Sequence, residues 1–217
     1  MTEDKKPKRV IERLVVGPLA TNCYLLKSGD EVAVIDPGGD GPLILERLAE
    51  LGGRVRFVIN THGHIDHVAA NGAVVKATGA ELLIHELDAG MLVAPEANLA
   101  MMMGVDCHSP AATRFLAEGD RVVVGKEELV VLHTPGHTAG SICLVTDEYA
   151  FTGDTLFLDS IGRTDFPGGS ERLMQASLSR LQAVLKRETE LYPGHGAPGS
   201  FGRALLVNPF LGSIWPA

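Results

Sequence analysis

Three of the chain's eight histidines fall within six positions, beside an aspartate, in the stretch Thr61-His62-Gly63-His64-Ile65-Asp66-His67. A lone histidine is more often a hydrogen-bonded core or surface residue than a ligand. Three imidazoles and a carboxylate at this spacing are different, because packing alone has no use for so many converging donors. Further along, His137 stands in HTPGHTAGS, Asp154 follows YAFTG, and His195 stands in LYPGHG. Each lies where a strand breaks into a glycine-rich turn, and glycine lets the backbone bend close to an ion. Imidazole and carboxylate donors without cysteine suit zinc, with iron or manganese as alternatives, at a reactive centre rather than a cysteine-rich structural zinc. His62, His64, Asp66, His67, His137, Asp154 and His195 make seven such groups, more than one tetrahedral zinc can use. Two divalent ions about 3.5–4 Å apart, bridged by a carboxylate and a water, would employ them all, and the water's pKa would fall toward about 7.

The elements that must carry these groups show as short β-branched runs between turns. Val10–Val16, Cys23–Leu26 and Val32–Ile35 read as strands, the last stopped by Asp36-Pro37-Gly38-Gly39. Asp40 is placed to cap a helix with Pro42 in its first turn and Gly52-Gly53 at its end. The next run, Val55–Ile59, delivers the chain straight into the histidine cluster, which then sits in the loop before a helix starting near Val68, where functional groups on such scaffolds gather. Ala80–Ile84, Arg121–Val124, Leu129–His133, Ile142–Val145 and Ala150–Thr152 continue the strand pattern. Met174, Leu178, Leu181 and Leu185 recur at helical spacing behind a capping Ser170. Strands in both halves with helices interspersed predict an α+β fold, two sheets face to face with helices outside. Met91 and Met101–Met103 read as core gap-fillers, with a mobile lid near the site as the alternative.

A chain of 217 residues, 45% apolar and 21% charged, fits one folded domain spanning residues 1–217 with a real core. Residues 1–9 read as a solvated tail, since Lys5, Lys6, Lys8 and Arg9 are broken by Pro7 and preceded by Glu3 and Asp4. The net charge of −8 argues against nucleic-acid binding. No apolar run approaches the roughly 18–20 residues of a membrane helix, and no signal peptide shows, so a cytoplasmic location is expected. Cys23, Cys107 and Cys143 form no paired motif and read as free, mostly buried thiols.

The motif Thr61-His62-x-His64-x-Asp66-His67, with His137, Asp154 and His195 in order, resembles the metallo-β-lactamase fold superfamily, and within it the glyoxalase II (hydroxyacylglutathione hydrolase) group of short bacterial type. The resemblance runs from Thr21 to His195 and implies a four-layer αββα sandwich. Carried over residue by residue, it puts His62, His64 and His137 on a first metal, Asp66, His67 and His195 on a second, and Asp154 between them. Asp36, in VIDPGG, would support the site from behind. The implied reaction is hydrolysis of S-lactoylglutathione or a related small thioester by a metal-bridging hydroxide, with Asp66 and Asp154 holding the catalytic centre. Only 22 residues follow His195, so the helical carboxy-terminal domain that helps full-length glyoxalase II hold glutathione is not expected. Arg163, in the shared stretch GRTDFPGGS, matches a basic glutathione-binding position, while Ala197 stands where a tyrosine is usual. Persulfide dioxygenases share the GRTDF segment and would use one iron on His62, His137 and Asp154; a lactonase or other ester hydrolase is the more distant alternative. His85, His108 and His133 match no ligand position and read as structural, with a supporting contact to the site as the one alternative for His133.

Overall fold

A computed structural model describes residues 9–104 and 109–212. Six strands form the first sheet in sequence order: β1 Val10–Val16, β2 Thr21–Ser28, β3 Glu31–Ile35, β4 Arg54–Ile59, β5 Glu81–His85 and β6 Arg114–Leu116. Its first three strands pair antiparallel, and β3 through β6 run parallel. The second sheet also has six strands: β7 Arg121–Val124, β8 Glu127–His133, β9 Ile142–Val145, β10 Tyr149–Gly153, β11 Glu190–Pro193 and β12 Gly199–Ser200. Only its β10–β11 pair is parallel, and α5 Glu171–Val184 lies on the crossover between them, as parallel neighbours require.

Alternation of side chains sorts these strands into layers. On β2, Tyr24 and Leu26 join the core between the sheets, where Val122, Leu129, Val131, Leu144 and Phe151 meet them from the second sheet. The alternate residues Cys23 and Leu25 face outward onto α1 Gly41–Leu51 and α3 Asn71–Thr78. Behind the second sheet, Cys143, Val145 and Leu191 pack on Met174, Leu178 and Leu181 of α5 and on Phe201 of α6 Phe201–Val207. Both faces of the central strands are therefore dry, which is why these runs read as continuously apolar rather than alternating. The result is the expected αββα sandwich.

Two local expectations are corrected. Asp40 does occupy the position before α1, but in a left-handed conformation (φ 48°) with no capping bond; its Oδ2 accepts instead from the Gly17 N–H at 2.8 Å. The helix expected near Val68 is two pieces, α2 Ile65–Val68 and α3, because the Ala70 N–H turns away to the Pro37 carbonyl at 2.9 Å. The buried, free state of Cys23 and Cys143 matches expectation, whereas Cys107, His108 and residues 1–8 lie outside the described residues.

Candidate metal centre

All seven donor residues converge at one end of the sandwich. The parallel strands β3 and β4 end in Asp36 and in the loop Asn60–His64; His137 lies between β8 and β9, Asp154 follows β10, and His195 follows β11. Donor atoms of His62, His64 and His137 lie within 4.8 Å of one another, as do those of Asp66, His67 and His195. In the second group Asp66 Oδ2 is 3.2 Å from His195 Nε2 and 3.5 Å from His67 Nε2. Asp154 Oδ2 stands 3.6 Å from both His137 Nε2 and His195 Nε2, so its carboxylate spans the two groups. Buried His62 Nε2, His64 Nε2 and Asp154 Oδ1 have no hydrogen-bond partner among the described residues. Buried polar atoms normally have partners, and here a borderline divalent cation would supply one for imidazole and carboxylate alike.

A buried outer layer fixes these side chains. Asp36, held at φ 51°, accepts from the Thr61 N–H and Oγ1, both at 2.7 Å, and its Oδ2 lies 3.1 Å from His67 Nδ1 without the alignment of a hydrogen bond. Asp36 thus lies directly behind His67 and Thr61. Left-handed backbone at a non-glycine residue is a conformation that surrounding structure must enforce, and it is common at functional sites. His137 Nδ1 donates to the Arg163 carbonyl at 2.7 Å, which turns the lone pair of Nε2 into the donor cluster, 2.9 Å from His64 Nδ1. Thr21 Oγ1 donates to Asp66 Oδ2 at 3.1 Å.

Asp88 is a residue the sequence reading missed. It is 1% exposed and accepts three hydrogen bonds: from the Gly63 N–H at 3.0 Å, Thr138 Oγ1 at 2.6 Å and the Gly140 N–H at 2.7 Å. It therefore staples the His62–His67 loop to the loop carrying His137. No local signal marks it, since all three partners are remote in sequence. His133 has a related part: its Nε2 donates to the Ala139 carbonyl at 2.8 Å while its ring stacks on His85 at 4.1 Å. It supports the His137 loop without touching the donors.

Burial and mutual proximity set the charges. Burial, then the neighbouring imidazoles, holds His62 well below the ordinary histidine range and His64 down to about 3, so both present neutral lone pairs. Burial also opposes a proton on His67, but Asp66, Asp154 and Asp36 outweigh it and raise its pKa. Burial would raise Asp66 and Asp154, yet His67 and the histidines around it pull both below the usual carboxylate range. The centre thus pairs ionised carboxylates with imidazoles, ready to exchange bound protons for a metal's charge.

Above the donors opens a cavity of about 400 Å³ that His64, Asp66, His137, Asp154 and His195 line from below. Arg163 lines it too, but its exposed guanidinium donates twice to Asp165, both at 2.7 Å, and lies 3.8 Å over the Phe166 ring. Met103 packs against the outer core, as expected of a gap-filler, whereas its two neighbours do not. Met101 and Met102 are 72% and 74% exposed, and Met102 and Met103 line this cavity from α4 Ala100–Met103. Met91 instead covers the motif glycine, whose replacement would put a Cβ 2.6 Å from Met91 Cβ.

A model of the metallo-beta-lactamase superfamily matches residues 16–195. The chain belongs to the metallo-β-lactamase superfamily. Members of this superfamily are hydrolytic metalloenzymes, and the candidate centre is that of a divalent-metal site. An uncharacterized protein of Aquifex aeolicus is 35% identical over 213 residues, covering 94% of this chain and 98% of the relative. Hydroxyacylglutathione hydrolase GloC of Haemophilus influenzae is 32% identical over 209 residues, covering 94% and 98%. Among solved structures, the BLEG-1 B3 metallo-beta-lactamase has a TM-score of 0.88 at 30% identity, covering 93% of this chain and 99% of that one. TTHA1623 in a di-iron-bound form has a TM-score of 0.84 at 33% identity, covering 92% and 100%. ETHE1 from Myxococcus xanthus has a TM-score of 0.76 at 29% identity, covering 92% and 83%. Among the described residues no helix is long and apolar enough to cross a membrane.

Proposed function

We propose that the chain is a cytoplasmic dinuclear metallohydrolase that cleaves S-lactoylglutathione or a related S-acylglutathione to the hydroxy acid and glutathione. The observation that carries this reading is the second donor set: Asp66, His67 and His195 are all present and close on one another at 3.2–3.5 Å. His62, His64 and His137 would hold one ion, Asp66, His67 and His195 the other, and Asp154 both, with zinc the first candidate and iron or manganese the others. When bound, such ions lower the pKa of a water toward about 7 and stabilise charge on a carbonyl oxygen. The chain's own part is positional. His137 is locked by the Arg163 carbonyl, and Asp66 and Asp154 stay ionised. No side-chain nucleophile or base is required. Arg163, at the cavity rim, would meet a substrate carboxylate by sharing its fork with Asp165. The GloC relative supports glutathione as the carrier.

Likeness to ETHE1 favours a second reading, a persulfide dioxygenase with one iron on His62, His137 and Asp154. Parallel assays of the isolated protein with S-lactoylglutathione, and with glutathione persulfide under oxygen, separate the two. Loss of the thioester absorbance without oxygen uptake is expected; oxygen uptake with the thioester intact would replace the hydrolase with the oxygenase.

A further inference from the structure

Resting on the thioester reading and deepening it, we propose that the acyl group this cavity takes is an apolar chain of several carbons, larger and less polar than lactoyl. Apart from the candidate metal donors, Gly162 and Arg163, the cavity wall consists of Leu19, Leu99, Met102, Met103, Phe157 and Phe166. The Arg163 guanidinium gives its Nε–H and one Nη2–H to Asp165 and stacks on Phe166, and its remaining donors are those offered to a substrate carboxylate. Arg163 at the rim apart, no polar side chain among the described lining residues other than the candidate donors is placed to partner the hydroxyl of a 2-hydroxyacyl group. Sites that select for a hydroxyl do so with such a partner, and an apolar wall selects for carbon instead.

This wall is built into the fold. Leu99 sits at φ 71°, a left-handed conformation rare for a residue with a Cβ, while its side chain stays 9% exposed against the cavity. The preceding Asn98 is fully buried and enforces that turn. Its Nδ2 donates to the Met91 carbonyl at 2.8 Å and its Oδ1 accepts from the Ala100 N–H at 3.0 Å. The Asn98 carbonyl accepts from the Ile65 N–H at 2.8 Å, between His64 and Asp66, so the apolar wall and the donor loop are one unit. Apolar rings flank both halves of the centre, with Phe166 5.9 Å from His64 and Phe157 6.0 Å from His195. Met102 and Leu19, 74% and 50% exposed, offer surface that an acyl chain would cover, and flexible thioether side chains adapt to such chains. Each methylene removed from water is worth about a fourfold gain in kcat/KM.

The test is a series of S-acylglutathiones, acetyl, lactoyl, butyryl and hexanoyl, on the metal-loaded enzyme, beside equilibrium binding of S-methyl- and S-hexylglutathione. A kcat/KM for hexanoyl about tenfold or more above lactoyl is expected, with the hexanoyl-to-acetyl ratio collapsing in the Met102→Ser/Met103→Ser double variant. S-hexylglutathione should bind correspondingly tighter than S-methylglutathione. Lactoyl turned over as well as or better than hexanoyl would overturn the apolar-acyl proposal and leave the hydrolase standing. If no thioester is cleaved, the hydrolase reading falls. In that case tighter S-hexyl binding keeps the apolar site, and equal binding of the two thioethers removes it.

Discussion

Replacing Asp88 by alanine is expected to cost the fold about 3–6 kcal/mol and to weaken metal binding about 10- to 100-fold, although Asp88 is no ligand. The carboxylate accepts from the Gly63 N–H, Thr138 Oγ1 and the Gly140 N–H at 3.0, 2.6 and 2.7 Å and is 1% exposed. Hydrogen bonds to a charged acceptor are worth about 1.5–3 kcal/mol each, and water entering the vacated space recovers part of the loss. Against a typical total stability of about 5–15 kcal/mol this is severe, so asparagine is the more informative variant. It keeps the volume and one acceptor oxygen but turns an NH₂ toward donors, for an expected loss of about 2–4 kcal/mol. Urea midpoints of both variants, with and without metal, and competition against a chromophoric chelator provide the measurements. A shift under about 1 kcal/mol in Asp88→Ala, with metal affinity unchanged, would refute the idea that Asp88 holds the two donor loops together.

Gly194→Ala should lose one metal equivalent while staying folded, because the added Cβ would overlap Asp154 Oδ1 and lie 2.7 Å from His67 Cε1; retention of both metals would show that this turn has slack. His85 has a lowered pKa through burial and then the adjacent His133, and its Nδ1 must stay unprotonated to accept from the Leu87 N–H at 3.2 Å. A depressed histidine is neutral in the folded state at pH values where the unfolded chain binds a proton. Its contribution is thus complete above about pH 6.5 and is lost as pH falls below that. Urea midpoints between pH 7 and pH 5 should therefore fall more steeply for the wild type than for His85→Gln, and parallel slopes would contradict this. Loading metal onto metal-free protein at pH 7 should release protons, since the carboxylates around His67 keep it charged until a cation replaces its proton; calorimetry in buffers of different ionisation enthalpy reads that release directly, and its absence would mean that His67 is already neutral.

Much of the donor set was legible because its chemistry is local in sequence. His62, His64, Asp66 and His67 are contiguous, and His137, Asp154 and His195 each stand at a strand end marked by glycine or proline. The sandwich was legible from the strand runs, and strands such as Val10–Val16 and Ile142–Val145 have the predicted bounds. What escaped depends on distant partners. Asp88 resembles any acidic residue of an exposed turn until Gly63, Thr138 and Gly140 are folded around it. Asp40 has the right residue type for a cap, but the Gly17 N–H competes for its carboxylate. Met101 and Met102 were misassigned to the core because composition shows that a segment is apolar without showing which surface it faces. Arg114–Leu116 and Gly199–Ser200, at three and two residues, are too short to carry a periodic signal and exist only through their sheet partners.

Stepwise addition of metal to metal-free protein, with bound metal and S-lactoylglutathione turnover followed together, tests the dinuclear hydrolase most directly. Turnover should rise until two equivalents per chain are bound, and in His67→Ala it should stay near baseline with binding ending at one. Full thioester turnover at a single equivalent, unaffected by loss of His67, would contradict the assignment of Asp66, His67 and His195 to a working second metal.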